Sequence, residues 1–127
     1  IVALNRGLMK KLWMICLAVL MGLTACDEAA PPSPELDSNK AYFFYAQTCP
    51  HCHEADAYIQ QKYPDLEMVR LDVATSEGRE LFIKCAQKFQ LGQRIGTPLF
   101  CLGANYLMGW IPAYEQRFDS YIEPFLN

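Results

Sequence analysis

Apolar positions fall into two regimes along the chain. Residues 12 to 25, LWMICLAVLMGLTA, form an unbroken apolar run, whereas beyond residue 40 apolar residues come in short blocks with the spacing of strands and helices. AYFFYA, residues 41 to 46, is of strand length and apolar at nearly every position, as expected of a strand covered on both faces. CPHC follows at once, and Pro50 suits the first position of a helix, where its missing N–H costs nothing. Cys52, Ala55 and Ile59 then share one helical face, and Pro64 ends the segment. LEMVRLDV, residues 66 to 73, alternates at Val69, Leu71 and Val73 and predicts a second strand. Thr75 and Ser76 are cap residues for a second helix, with Glu77 in its first turn, an apolar stripe of Leu81, Phe82, Cys85 and Phe89, and Gly92 closing it. PLFCL and YLMGW, residues 98 to 102 and 106 to 110, predict a hairpin turning at Gly103, Ala104 and Asn105. Pro112 opens a last helix with Phe118, Tyr121, Ile122 and Phe125 inward. The order β-α-β-α-β-β-α predicts an α/β fold, a central mixed sheet of about four strands with helices on both faces.

A chain of 127 residues has room for one domain. About half the residues are apolar and no repeat is present, the composition of an ordinary globular protein. A net charge of −3 argues against nucleic acid as a partner. Phosphate loops, nucleotide motifs and a hydrolytic triad are absent from the sequence. The apolar run at residues 12 to 25 is shorter than the roughly 20 residues a helix needs to cross a bilayer. With Arg6, Lys10 and Lys11 before it, it reads as a secretory signal.

LTAC, residues 23 to 26, closes that run and resembles the lipobox of bacterial lipoproteins. The resemblance implies removal of residues 1 to 25 as a signal peptide and lipidation of Cys26. Acyl chains there would tether the protein, since each buried methylene contributes about 0.8 kcal/mol. Residues 26 to 39, acidic and proline-rich, are expected to be a flexible tether, and residues 40 to 127 the domain. Loss of the signal leaves eight basic against fourteen acidic residues, a solvated acidic domain. By resemblance to enterobacterial lipoproteins, Asp27 implies retention at the periplasmic side of the inner membrane, with the outer membrane and the extracellular surface as the open alternatives.

QTCPHCHEA, residues 47 to 55, carries the candidate chemistry. Cys49, Cys52 and His53 spell the C-x-x-C-H of covalent haem attachment, while Cys49 and Cys52 alone spell the C-x-x-C of a thiol-disulfide enzyme. A haem needs axial ligands and a mostly helical wrap, and here the motif sits between a strand and a helix, which favours thiol chemistry. Thiolates attack disulfides, so one cysteine must ionise readily. Cys49, at the helix start, faces the unpaired N–H groups and the positive end of the dipole, and is the expected nucleophile. Cys52, one turn deeper, is the expected resolving thiol. His51 can add positive charge or a hydrogen bond to the Cys49 thiolate. A third reading is a copper-binding module, with Cys49, Cys52 and one of His51 or His53 as ligands to Cu(I) or Zn.

A strand running into CPHC at a helix start, and Thr97-Pro98 opening the third strand, resemble the thioredoxin superfamily in its minimal form over residues 40 to 127, with CPHC similar to the Dsb-type periplasmic oxidants. The resemblance implies a catalytic motif of Cys49, Pro50, His51 and Cys52, with Thr97 and a cis Pro98 beside it at the substrate. It implies protein thiols or disulfides as substrates, a membrane redox partner, and no cofactor or metal. Two departures stand out: the inserted helical domain of the Dsb-type oxidant is missing, and Phe43 occupies the position where thioredoxins tend to hold a buried acid. With Cys16 in the signal and Cys26 lipidated, four cysteines remain, and an even remainder in an oxidising compartment implies that Cys85 and Cys101 form a structural disulfide between the second helix and the third strand. Trp110, Tyr106 and Met108 are read as packing residues.

Overall fold

A computed structural model describes residues 33–127. The signal at residues 1 to 25, Cys26 and most of the expected tether lie outside the described residues. The elements are β1 (Ala41–Tyr45), α1 (Pro50–Lys62), β2 (Met68–Asp72), α2 (Ser76–Lys88), β3 (Leu99–Leu102), β4 (Asn105–Met108) and α3 (Glu115–Ile122), with single 3-10 turns at Pro112–Tyr114 and Glu123–Phe125 flanking α3. They form an α/β fold with one open four-stranded mixed sheet in the order β2-β1-β3-β4 and three helices. β1 runs parallel to β2 and antiparallel to β3, and β3 and β4 form an antiparallel hairpin. Gly103 and Ala104 make its turn, Gly103 at φ 68°, a conformation that glycine adopts without a Cβ penalty.

The sheet is covered on both faces because its inner strands are apolar at successive positions, and successive side chains point to opposite sides. Ala41 and Phe43 of β1 and Phe100 and Leu102 of β3 face one cluster with Cys52, Ala55 and Ile59 of α1 and Phe118 and Ile122 of α3. Tyr42, Phe44, Leu99 and Cys101 face the other, with Leu81 and Cys85 of α2. Trp110 is buried among Tyr58, Phe100 and Phe118, as a packing residue. No helix of the described residues is long and apolar enough to cross a membrane.

The folded unit takes in more of the chain than its composition suggests, running from Pro34 to Asn127. Leu36, the one large apolar residue of that polar stretch, packs into the α2-side cluster. The Asp37 N–H donates to the Tyr42 hydroxyl at 2.9 Å, and Lys84 Nζ donates to the Pro34 carbonyl. Residues 34 to 39, expected to belong to the tether, are therefore laid down on the domain.

Two local devices fix the helices. At the start of α2 the Thr75 hydroxyl accepts from the Gly78 N–H at 3.0 Å and donates to the Asp72 carbonyl at 2.7 Å, and a Cβ on Gly78 would collide with that carbonyl. Between α1 and α3, Asp119 Oδ1 accepts from the Tyr58 and Tyr63 hydroxyls at 2.8 and 2.7 Å, and Oδ2 from Lys62 Nζ at 2.6 Å. Burial works to raise the Asp119 carboxyl, but the bonds from Lys62, Tyr63 and Tyr58 outweigh it and hold the group below its usual range. Burial, with the bond to Asp119, pushes the Tyr63 phenol up from 10.0 to about 12. A depressed carboxyl stabilises the fold above its unfolded-state value, and that contribution disappears as pH falls through the folded-state value. A raised phenol stabilises below its unfolded-state value and loses that contribution as pH rises from 10.0 toward about 12. The stability difference between wild type and Asp119→Asn, measured by urea unfolding across pH, should thus be widest through the neutral range and narrow at both extremes. A difference independent of pH would refute the account.

Candidate active site

The start of α1 places the two cysteines. Cys49 is its N-cap, extended at φ −94° and ψ 108°, and Pro50 fills the first turn, where no N–H is needed. Cys49 Sγ accepts from the Cys52 N–H at 3.2 Å, sulfur taking the role that a serine or aspartate oxygen plays in other caps. A backbone donor aimed at the sulfur, and a 13-residue helix with no acidic residue in its first turn, favour negative charge there. Cys49 and Cys52 stand at disulfide distance with Cα atoms 5.2 Å apart, inside the range a bridge allows. Cys52 is 3% exposed and Cys49 is half-buried, so Cys49 is the sulfur that a partner can reach.

Thr97 and Pro98 lie beside this pair. Their peptide bond is cis, and the Thr97 carbonyl oxygen sits 3.6 Å from Cys49 Sγ, where a reduced thiol can donate to it. The sequence separation is 48 residues; the sheet brings the two together because α1 follows β1 and Pro98 leads into β3, the antiparallel neighbour of β1.

His51 Nδ1 is 3.4 Å from Glu54 Oε2 on the exposed side of α1, and the sulfur of Cys49 takes a bond from the backbone N–H of Cys52. The reason is local: positions three apart on a helix are neighbours, and Glu54 is the anion within reach. His53 Nε2 is 3.0 Å from the Gln47 carbonyl oxygen, so that nitrogen carries the proton and donates. Asp56 receives Arg70 Nε and Nη2 on Oδ1, both at 3.1 Å, and Gln60 Nε2 on Oδ2 at 3.0 Å. Among the described residues no group of three or more His, Cys, Asp or Glu side chains is arranged to hold a metal ion.

No family model, curated protein or solved structure matches the chain. What the site can do therefore rests on its geometry. Beside Cys52, a cleft of about 240 Å³ is lined by Phe43, Tyr45, Ala46, Cys52, His53, Asp56 and Arg70. The sequence reading missed Asp56, Arg70 and the role of Gln47. Arg70 had a signal: it is the one cation inside the strand pattern of residues 66 to 73, opposite in alternation to Leu71, and the register sets it beside Phe43.

Cys85 and Cys101, expected as a disulfide, stand as free thiols, both buried in the α2-side cluster and within hydrogen-bonding reach of each other. The bond to Cys101, with burial, pushes the Cys85 thiol well above its usual range, and accepting that bond lowers Cys101. The side chains meet because β3 turns Cys101 to the same face as Leu99, against the apolar stripe of α2. Oxidation would close a loop of about fifteen residues and restrict the unfolded chain by roughly 3 kcal/mol in the entropic model. In protein recovered from an oxidising compartment, peptide mapping should find Cys85 linked to Cys101, with Cys49–Cys52 opening first under mild reductant because access governs exchange. Alkylation of both core thiols in that unfolded, unreduced protein would rule the bridge out.

Proposed function

We propose that this chain is a membrane-tethered, extracytoplasmic thiol-disulfide oxidoreductase that acts on protein cysteines through Cys49 and Cys52, on a minimal thioredoxin-like fold. The observation carrying the reading is the pair at disulfide distance at a helix N-terminus, one sulfur reachable and the other buried, with the Thr97 carbonyl against the reachable one. In the reducing direction the Cys49 thiolate attacks a substrate disulfide, forming a Cys49–substrate bond and releasing one substrate thiolate. Cys52 then attacks Cys49 Sγ, the Cys49–Cys52 bond forms, and the second substrate thiolate leaves; the pair has lost two electrons and the substrate has gained them. The oxidising direction is the same sequence reversed. Thr97 and Pro98 form the ledge against which a substrate segment would lie, next to the attacking sulfur.

The test is the equilibrium of the Cys49–Cys52 couple with glutathione, together with disulfide exchange on a protein substrate. A potential well above about −270 mV supports an oxidant or isomerase, and one near it a reductase; no exchange in either direction refutes the activity. The anchor part of the reading is carried by LTAC at residues 23 to 26. Cys26→Ser in the full chain should block lipid labelling and leave the precursor uncleaved, and release of mature protein cut at another site would refute the tether.

A further inference from the structure

We infer, resting on the proposed exchange activity, that His53 relays the proton of Cys52 through the water-sized cleft beside it. Cys52 must lose a proton before it can attack the Cys49–substrate bond, and its sulfur is enclosed. Among the described residues the core around it has no buried polar or charged side chain, and Phe43 beside it offers no base. Cys52 itself lines the cleft between α1 and the β1–β2 side of the sheet, and that cleft, of about 240 Å³, accommodates several water molecules and gives the proton a way out.

Besides Cys52 itself, four side chains on that cleft carry ionisable groups: Tyr45, His53, Asp56 and Arg70. A guanidinium does not give up its proton and a phenol is a poor acceptor near neutral pH. Asp56 is held in an ion pair, with Arg70 on one oxygen and Gln60 on the other, an arrangement that its protonation would break. His53 is different. Its Nε2–H is spent on the Gln47 carbonyl, which fixes the tautomer and leaves the Nδ1 lone pair with no partner among the described residues. Imidazole is also the side chain that takes and returns protons in the neutral range.

The step balances as follows. The Cys52 S–H proton passes through cleft water to His53 Nδ1, and the Cys52 thiolate displaces the substrate sulfur from Cys49. The departing substrate thiolate recovers the proton from the imidazolium by way of solvent. In the oxidising direction the same proton returns to Cys52 as the Cys49–Cys52 bond opens. His53 acts on the sulfur through water, as a relay residue.

The experiment follows closure of a preformed mixed disulfide. Reduced full-length protein is mixed with oxidised glutathione, and two rates are read by rapid quench: capture of glutathione on Cys49, and its release as Cys49–Cys52 closes. In His53→Gln, release should slow by about tenfold or more, a modest share of what a positioned acid–base group contributes, while capture stays within about twofold. Free imidazole in solution should restore release in the variant and leave wild type unchanged, a response that a lost packing contact would not give. Release at the wild-type rate, or slow release that imidazole does not restore, overturns the relay. Failure of the wild-type protein to capture glutathione at all overturns the parent activity, and the relay with it.

Discussion

Cys49→Ser should reduce thiol-disulfide exchange to the uncatalysed level, while Cys52→Ser should retain the first half of the reaction and accumulate mixed disulfides with substrate proteins. The asymmetry follows from position. Cys49 caps α1, receives the Cys52 N–H at 3.2 Å and is half-buried, whereas Cys52 is 3% exposed, so one sulfur meets partners and the other only resolves what the first has captured. A serine hydroxyl is a far weaker nucleophile toward sulfur than a thiolate, so no residual pathway through position 49 is expected. Non-reducing electrophoresis after quenching with acid and alkylating agent reads both outcomes. Trapped adducts on Cys49→Ser in place of Cys52→Ser would reverse the roles.

Phe118→Ala should destabilise the domain by about 3 to 5 kcal/mol. Phe118 is fully buried, and its ring centroid lies 5.2 Å from Phe100, 5.7 Å from Trp110, 6.2 Å from Tyr63 and 6.3 Å from Tyr58. It is the point where α3, α1 and the sheet meet, so truncation leaves a cavity whose walls belong to three elements and cannot all move in. Against a total stability of roughly 5 to 15 kcal/mol for an ordinary domain, such a loss should lower the melting temperature by more than about 10 °C. A change below about 1 kcal/mol in urea unfolding would mean that the cavity collapses and that the cluster is less rigid than its ring geometry implies.

Strand and helix order was legible because both inner strands are apolar at every position and α2 carries a regular stripe, patterns that survive any tertiary context. The Cys49 and Cys52 spacing is plain in the sequence, and simple alternation along β3 puts Cys101 on the same face as Leu99. Boundaries were less so: Gly92 was expected to close α2, yet the helix ends at Lys88 and Gln90 adopts a positive φ of 54°, a backbone choice that no residue preference announces. Pro34 to Asn39 reads as tether because its hold on the domain depends on Leu36 and on a lysine fifty residues away. The same limit hid the surroundings of Cys52. Asp56 meets Arg70, and Gln47 meets Asp72, only once β2 is laid beside β1, a register that no local pattern prints.

Among the described residues, both outer strands of the sheet leave one side of their backbone without a neighbouring strand, which is the feature that lets sheets of separate molecules join. Here the exposure is short and interrupted. β4 offers four residues, beginning with Asn105, and β2 offers five, of which Arg70 and Asp72 are charged and bonded to Asp56 and Gln47 of the same molecule. A neighbouring strand arriving at β2 would meet fixed charges, and one arriving at β4 would find little length to pair with. Pairing through either edge would thus have to break an ion pair or settle for four residues of ladder.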